Sequence, residues 1–268
     1  MPGPLAVLFA IIVAVTEVLP LAGRAHGTVL GLALDVTMDA HFRAVAHMAA
    51  AVAMIVLARR RIGPAIGDGL AALVRPRQAT ESRGAREAFG FGIATLIGLP
   101  GALLFGHLAR AVEKAPTAIG IGLCATGAML MSTSAAARVG DDALTPRRAV
   151  MVGLCQALAA LSGGSTVGAG IAALLWSGMR PRRAAETACV LTFPHEILLM
   201  VLALDEPNAT RRIAEQPGVT LAALVAAIIA GLLAGGRLVR VAERRLVALG
   251  AYLAVLGAGA AAYSWALH

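Results

Sequence analysis

Polar residues interrupt long apolar sequence at two places in this chain. The first interruption is VTEVLPLAGRAHG at residues 15–27, and the second interruption is LSGGSTVGAG at residues 161–170. Lipid cannot hydrogen-bond the backbone of a broken helix, so such breaks persist only where protein or a water-filled cavity covers them. Two breaks at corresponding places of two half-chains therefore predict a binding site near the middle of a membrane.

Composition places the chain in a bilayer. Of its 268 residues, 59% are hydrophobic and 14% are charged, and the mean hydropathy is +0.80. A soluble domain carries about 25% charged residues, and several apolar runs here reach the roughly 20 residues that cross a membrane. We expect one membrane domain over residues 1–268. No basic residue precedes the apolar run at 5–21, so we expect this run to belong to the fold and not to a signal peptide.

The charge pattern predicts topology and not nucleic-acid binding. The net charge is +8, but the arginines stand between apolar segments, where they act as topology signals. We therefore expect no nucleic-acid partner. The three cysteines, Cys124, Cys155 and Cys189, lie inside apolar runs without CxxC spacing. They predict small buried side chains, and neither a disulfide framework nor a cysteine metal site.

Basic clusters orient the predicted helices, because positive loops stay in the cytoplasm. Clusters at 138–148 and 180–183 flank the broken segment 149–178, so both of its ends are predicted to be cytoplasmic. Two full spans would need about 40 residues, whereas a re-entrant helical hairpin fits the length. The other apolar segments are predicted transmembrane helices: 41–58, 88–108, 117–137, 184–204, 219–236 and 246–267.

The N-terminal segment 4–22, with its continuation, predicts a second re-entrant hairpin that enters from the opposite side. A plain N-terminal span with a cytoplasmic start is the alternative. With the hairpin, the order hairpin, span, span, span occurs twice, at 1–137 and at 149–267. The predicted fold is all-α, with six transmembrane helices and two re-entrant hairpins in an inverted-topology repeat. Residues 67–87 are predicted to form a cytoplasmic loop.

The first interruption holds three ionisable candidates. Ionisable groups inside the hydrocarbon region are costly, so each is a candidate for function. Glu17 leads, and a turn can bring His26 back towards it; a structural pair with an arginine is the alternative for Glu17. Arg24 is the only strong cation in either interruption, and its planar guanidinium suits phosphate because it binds two oxygens at once.

The second interruption offers glycines and hydroxyl groups. Backbone N–H groups at a glycine-rich tip converge on anions, and hydroxyls add donors; close helix packing is the alternative explanation. His195 and Glu196 follow Pro194 within segment 184–204 and are expected to face the bundle interior, either in a structural network or beside the site. The candidates of the second interruption are Ser162, Gly163, Gly164, Ser165, Thr166 and Gly168.

Three stretches resemble the bacterial undecaprenyl-diphosphate phosphatases of the UppP/BacA type. They are TEVLP at 16–20 followed by His26, the region from Gln156 to Gly168, and the segment 178–194. The similarity covers nearly the whole chain, and the fold of that family, with two opposed re-entrant hairpins and six spans, agrees with the topology above. The residues that match the motifs of the family are Glu17, His26, Gly163, Ser165 and Gly168.

The chain departs from those motifs at several positions. Val13 stands where the first motif begins with Glu, and Ala22 and Gly23 stand in place of two serines. In the second motif, Ser162, Thr166 and Val167 stand in place of Pro, Arg and Ser. The lost arginine is expected to hold the diphosphate in the family. We expect Arg24 to replace this missing cation from the opposite hairpin.

The resemblance implies hydrolysis of undecaprenyl diphosphate to the monophosphate, for lipid-carrier recycling in peptidoglycan biosynthesis. It implies a bacterial inner-membrane protein whose site opens towards the periplasm, with Mg²⁺ or Ca²⁺ as a candidate cofactor and a homodimer as a candidate assembly. By the same resemblance, His26 acts as nucleophile or general acid/base, Glu17 orients it or binds metal, and Ser165 with the backbone at 163–164 holds phosphate. Further candidates for binding are Arg24, Thr166 and Gly168, and those for support are Thr16, His195 and Glu196.

Two other functions stay open on the sequence. The chain is a catalytically impaired homologue that binds or translocates a polyprenyl phosphate or another anionic lipid, or it is a small-solute transporter unrelated to lipid. The motif losses at Val13 and Thr166 favour impaired catalysis, whereas the similarity over the whole chain favours hydrolysis. Inverted repeats suit alternating access, so the fold alone does not decide.

Overall fold

The computed structural model describes residues 2–75, 77, 82–112, 115–136, 140, 142–160 and 164–266. Eleven α-helices and one short 3₁₀ turn, Thr133–Ala135, make up these ranges, and no strand occurs in them. In chain order the helices are α1 (Gly3–Val18), α2 (Gly23–Leu34), α3 (Ala40–Val74), α4 (Arg83–Val112), α5 (Pro116–Ser132), α6 (Pro146–Ala159), α7 (Thr166–Trp176), α8 (Pro181–Leu204), α9 (Ala209–Glu215), α10 (Pro217–Arg244) and α11 (Leu246–Ala266).

Six helices are long and apolar enough to cross a membrane, namely α3, α4, α5, α8, α10 and α11. They coincide with the six predicted spans, so the predicted all-α, multi-pass membrane architecture is confirmed. Helices α1 and α7 are apolar but have only 16 and 11 residues, fewer than a span needs. The pairs α1–α2 and α6–α7 occupy the places of the two predicted hairpins, and re-entry from opposite faces stays a prediction.

Prolines and caps explain where several helices begin. Proline occupies the first turn of α5, α6, α8 and α10, where its missing N–H would have no helical partner anyway. Thr145 and Ser165 cap α6 and α7 by accepting backbone N–H groups with their side chains. Residues close in sequence therefore determine where the two helices on either side of the second interruption begin.

The predicted loop at 67–87 is wrong in part. Helix α3 continues to Val74, and α4 begins at Arg83. Pro64 lies inside α3, where it removes one helical hydrogen bond without ending the helix. Tertiary contacts hold this extension, because Ser82 donates to Asp68 and a Cβ atom on Gly69 would lie 2.8 Å from Ala88 Cβ of α4. These contacts override the sequence signals for a break.

The two halves of the chain pack on each other in a symmetric pattern. The first span of one half packs on the first span of the other (α3 on α8), and the third span packs on the third (α5 on α11). Helix α1 packs on α10 and α4 on α6, which joins the hairpin of each half to the second span of the other. A two-fold relation between the halves produces such a symmetric set of helix contacts, which supports the predicted repeat.

Helices α5 and α11 approach each other more closely than side chains allow. A Cβ atom on Gly120 would lie 2.4 Å from the carbonyl oxygen of Gly257, and one on Gly127 would lie 2.5 Å from that of Gly250. Small residues that permit such backbone approach are typical of membrane helix interfaces. The two helices therefore form a tightly joined pair beside both interruptions.

Candidate functional site

Glu17 lies at the carboxyl end of α1, and its carboxylate faces the beginning of α2. Its residue surface is 3% exposed, and Oε1 accepts a hydrogen bond from the backbone N–H of Arg24 at 3.0 Å. Ala22, in a left-handed conformation with φ of 61°, turns the chain between the two helices. Gly23 has no room for a side chain, since a Cβ atom there would lie 2.5 Å from Glu17 Cγ. The first interruption thus places a buried carboxylate at a helix N-terminus, where negative charge is favoured.

Glu17 belongs to a buried cluster with His47 of α3 and Glu196 of α8. One ligand atom of each side chain lies within 4.8 Å of the other two. His47 Nδ1 and Glu196 Oε2 form a hydrogen bond of 2.8 Å. Glu196 Oε1 is buried and has no hydrogen-bond partner in the described part of the chain. Two carboxylates and an imidazole in this arrangement are able to hold a cation.

Arg24 joins the two interruptions. Its Nη2 donates to the carbonyl oxygen of Ala160, directly before the second interruption, at 3.3 Å. Its positive charge also acts on both Glu17 and Glu196. Arg24 of the first interruption thus contacts the residue that directly precedes the second, and its role as a replacement cation stays a prediction. Gly168 of α7 completes the meeting point, because its Cβ position lies 3.4 Å from Pro20 Cβ.

Ser165 caps α7 in this structure. Its Oγ accepts from the backbone N–H of Gly168 at 3.1 Å, and its own N–H donates to Thr126 Oγ1 of α5 at 3.2 Å. Gly164 has no space for a side chain, since a Cβ atom would lie 2.0 Å from the carbonyl oxygen of Ala159. Thr166 is the buried first residue of α7. Ser162 and Gly163 lie outside the described residues.

His26 faces α11 instead of Glu17. Its Nδ1 lies 3.1 Å from the carbonyl oxygen of Ala22, and its Nε2 lies 2.9 Å from the hydroxyl of Tyr252. A carbonyl only accepts, so Nδ1 carries the proton and Nε2 accepts from Tyr252. His26 is outside the six candidate spans, and burial lowers the pKa of its imidazole below the ordinary 6.5. The neutral ring therefore has its basic nitrogen held by one hydroxyl donor.

Of the three residues predicted to support the site, one joins the buried cluster and two do not. Glu196 enters the cluster, whereas its neighbour His195 donates from Nδ1 to the carbonyl oxygen of Leu191 at 3.3 Å and packs against Gly98 of α4. Thr16 donates to backbone carbonyl oxygens one turn earlier in α1. His195 and Thr16 are thus placed as structural groups near the site.

His47, Thr126 and Tyr252 were not among the residues selected from sequence. His47 carried a signal, because an imidazole in the middle of a predicted span is a costly ionisable group. Thr126 and Tyr252 carried none, since hydroxyls on apolar helices are common and their partners Ser165 and His26 are 39 and 226 residues away.

Comparison with known proteins identifies similar chains over nearly the full length. The family model described as "Bacitracin resistance protein BacA" matches residues 6–259. A protein of Korarchaeum cryptofilum named undecaprenyl-diphosphatase is 30% identical over 256 residues, which cover 94% of this chain and 95% of that protein. Proteins with the same name from Geobacter sulfurreducens and Sphingopyxis alaskensis are 28% and 25% identical, covering 94% and 97% of this chain and 97% and 91% of their own lengths.

Proposed function

Because this chain belongs to the BacA family of bacitracin resistance proteins, we propose that it is a membrane phosphohydrolase that converts undecaprenyl diphosphate to the monophosphate. The observation that carries the proposal is the contact that Arg24 makes between the two broken segments: its backbone N–H donates to the buried Glu17, and its guanidinium donates to Ala160, directly before the second interruption. The names of the relatives support the substrate. The relatives' names concern those proteins, and hydrolysis by this chain is what we propose.

Binding of the diphosphate follows from three positive features at this meeting point. The guanidinium of Arg24 supplies a planar donor group suited to phosphate oxygens. Helices α2 and α7 both begin here, at Gly23 and Thr166. Helix N-termini favour anions through their dipoles and through first-turn N–H groups other than those of Arg24 and Gly168, which Glu17 and Ser165 already accept. These groups offset the charge that develops on the leaving phosphate as the P–O bond breaks.

His26 and Ser165 provide the groups for proton transfer. Nε2 of the neutral His26 ring accepts from Tyr252 in this structure. Once substrate displaces that hydroxyl, the nitrogen takes the proton of an attacking water, or it attacks the terminal phosphorus itself while undecaprenyl monophosphate leaves. Ser165 Oγ already accepts from Gly168, which leaves its proton free to donate to a phosphate oxygen. Glu17 orients the beginning of α2, on which both Arg24 and His26 lie.

Cofactor, orientation and assembly are further parts of this proposal. Mg²⁺ or Ca²⁺ is the cofactor that the resemblance implies, and either ion would neutralise diphosphate oxygens. The basic clusters at 59–61 and 180–183 support a cytoplasmic location for those parts of the chain, and this orientation opens the first interruption towards the periplasm of the bacterial inner membrane. A homodimer stays a prediction.

Phosphate release from a short-chain polyprenyl diphosphate tests the function. Purified protein in detergent is assayed with and without Mg²⁺ or Ca²⁺, beside the variants Glu17→Gln and His26→Ala. We expect turnover by the wild type and at least a hundredfold loss in both variants. Wild-type turnover no higher than that of the variants contradicts the proposal.

A further inference from the structure

We propose that Glu17, His47 and Glu196 form a binding site for a single divalent transition-metal cation, Mn²⁺ or Zn²⁺. The three residues come from α1, α3 and α8, and two of them, His47 and Glu196, lie outside both interruptions. Binding of the cation does not depend on the proposed phosphatase function. Its use in phosphate release rests on that function.

The geometry of the cluster suits one cation. Ligand atoms of the three side chains lie within 4.8 Å of one another. Two ligands on opposite sides of a cation at 2.0–2.2 Å are separated by at most about 4.4 Å. Side-chain shifts of a few tenths of an ångström therefore bring all three ligand atoms into coordination. The 2.8 Å hydrogen bond between His47 Nδ1 and Glu196 Oε2 holds the two side chains together beforehand, and binding of the cation would release the shared proton to solvent.

Burial and charge favour an additional cation. Glu17 and Glu196 are 3% and 0% exposed, and burying carboxylates without compensating positive charge costs several kcal/mol per ion. The charge of Arg24 acts on both carboxyl groups, so one guanidinium is shared between two acids. A divalent cation supplies the remaining positive charge.

An unpartnered atom provides independent support for a ligand. Glu196 Oε1 is fully buried and has no hydrogen-bond partner within the described ranges. Buried polar atoms in native structures nearly always have a partner. Coordination of a cation gives this oxygen the partner that the described protein atoms do not.

The donor types select the class of metal. Imidazole nitrogen suits first-row transition ions, whereas Mg²⁺ and Ca²⁺ prefer oxygen ligands throughout. One imidazole with two carboxylates therefore favours Mn²⁺ or Zn²⁺ over the alkaline-earth ions. Water molecules or oxygens of a bound anion would complete the coordination.

Metal content tests the site without any activity measurement. Protein stripped with EDTA is incubated separately with Mn²⁺, Zn²⁺, Mg²⁺ or Ca²⁺, desalted, and analysed by mass spectrometry for bound metal. The variants are His47→Gln and Glu196→Gln, which keep polar side chains of similar size. The matched control is His41→Gln, since His41 is a buried histidine of the same helix outside the cluster.

We expect one equivalent of Mn²⁺ or Zn²⁺ in the wild type and in His41→Gln. In the two cluster variants we expect the metal affinity to be at least about tenfold lower, because removal even of an outer-shell partner typically costs that much. The electron spin-echo spectrum of bound Mn²⁺ should show nitrogen coupling that His47→Gln removes. Thermal unfolding of the stripped proteins separates a lost ligand from a lost fold.

Two results would overturn the site. One is retention of no more Mn²⁺ or Zn²⁺ by the wild type than by His47→Gln and Glu196→Gln, as expected if the cluster holds only protons. The other is equal metal loss in His41→Gln. Phosphate release, measured on the same samples, keeps the two proposals apart: metal bound without turnover contradicts only the phosphatase, and turnover without bound metal contradicts only the site.

Discussion

Arg24 donates a hydrogen bond from Nη2 to the carbonyl oxygen of Ala160 at 3.3 Å, across 136 residues of sequence. This bond joins the beginning of α2 to the end of α6. The guanidinium therefore lies where the two interruptions meet, although neither interruption carries the arginine of the second family motif. Its charge also acts on the two buried carboxyl groups of Glu17 and Glu196.

Arg24→Ala should weaken binding of a lipid diphosphate by roughly 100-fold, because a charged donor to phosphate contributes about 1.5–3 kcal/mol. Titration calorimetry with a short-chain polyprenyl diphosphate measures this loss. Arg24→Lys should recover only part of it, since an ammonium group lacks the planar fork. The control is Arg59→Ala, an exposed arginine of α3 that donates to the carbonyl oxygen of Val56 in its own helix. Binding unchanged in Arg24→Ala removes Arg24 from the site.

Gly23→Ala should reduce both stability and turnover, because the new methyl group would lie 2.5 Å from Glu17 Cγ. Overpacking of this kind costs about 1–3 kcal/mol and moves the carboxylate. The matched variant is Gly236→Ala in α10, where no atom lies within 4 Å of the Cβ position and alanine is the better helix former. Thermal unfolding and phosphate release are measured for both. Equal behaviour of the two variants would show that Glu17 is not packed against Gly23.

Ser165→Ala separates a capping role from a catalytic one. Loss of the cap on α7 should cost about 1 kcal/mol, and Thr145→Ala, which removes the corresponding cap on α6, should cost a similar amount. If Ser165 donates its proton to phosphate, only Ser165→Ala should also lower turnover, by tenfold or more, under conditions where both variants remain folded. Parallel losses of turnover would leave Ser165 with capping alone.

The pH dependence of phosphate release should report His26. Burial lowers its pKa below 6.5, so the neutral ring predominates at pH 7 and kcat/KM should fall only as the pH drops through that lowered pKa. Tyr252 donates to Nε2 of the neutral ring and so disfavours the protonated form. Tyr252→Phe should therefore move the acid limb to higher pH. An acid limb at the same pH in Tyr252→Phe, in a folded protein, would contradict His26 as the titrating group.

Hydropathy and basic clusters predicted the membrane helices because those signals are local. The break at 161–170 could be recognised since it lies between two basic clusters, and Glu17 stood out as a carboxylate in apolar sequence. The direction of the His26 ring could not be predicted, because Tyr252 reaches it from the last helix of the chain. The extension of α3 past Pro64 likewise depends on contacts of Asp68 with Ser82 and of Gly69 with Ala88, which form only in the folded bundle.

The candidate site also contains a contact between two residues that no sequence pattern connects. His47 and Glu196 are 149 residues apart and meet because α3 packs on α8. Periodicity indicates which face of a helix is buried, but not which polar residue it finds on the neighbouring helix. The sequence shows His47 and Glu196 as isolated ionisable groups in separate spans, but their contact depends on how the helices pack in the fold.

Thr126 of α5 accepts from Ser165, and Tyr252 of α11 donates to His26. The backbones of α5 and α11 approach closely at Gly120 and Gly257 and at Gly127 and Gly250. One tightly packed helix pair therefore contacts Ser165 of the second interruption and His26 of the first. A substitution that shifts this pair would change the surroundings of both residues together, so the two interruptions share one support although they are far apart in sequence.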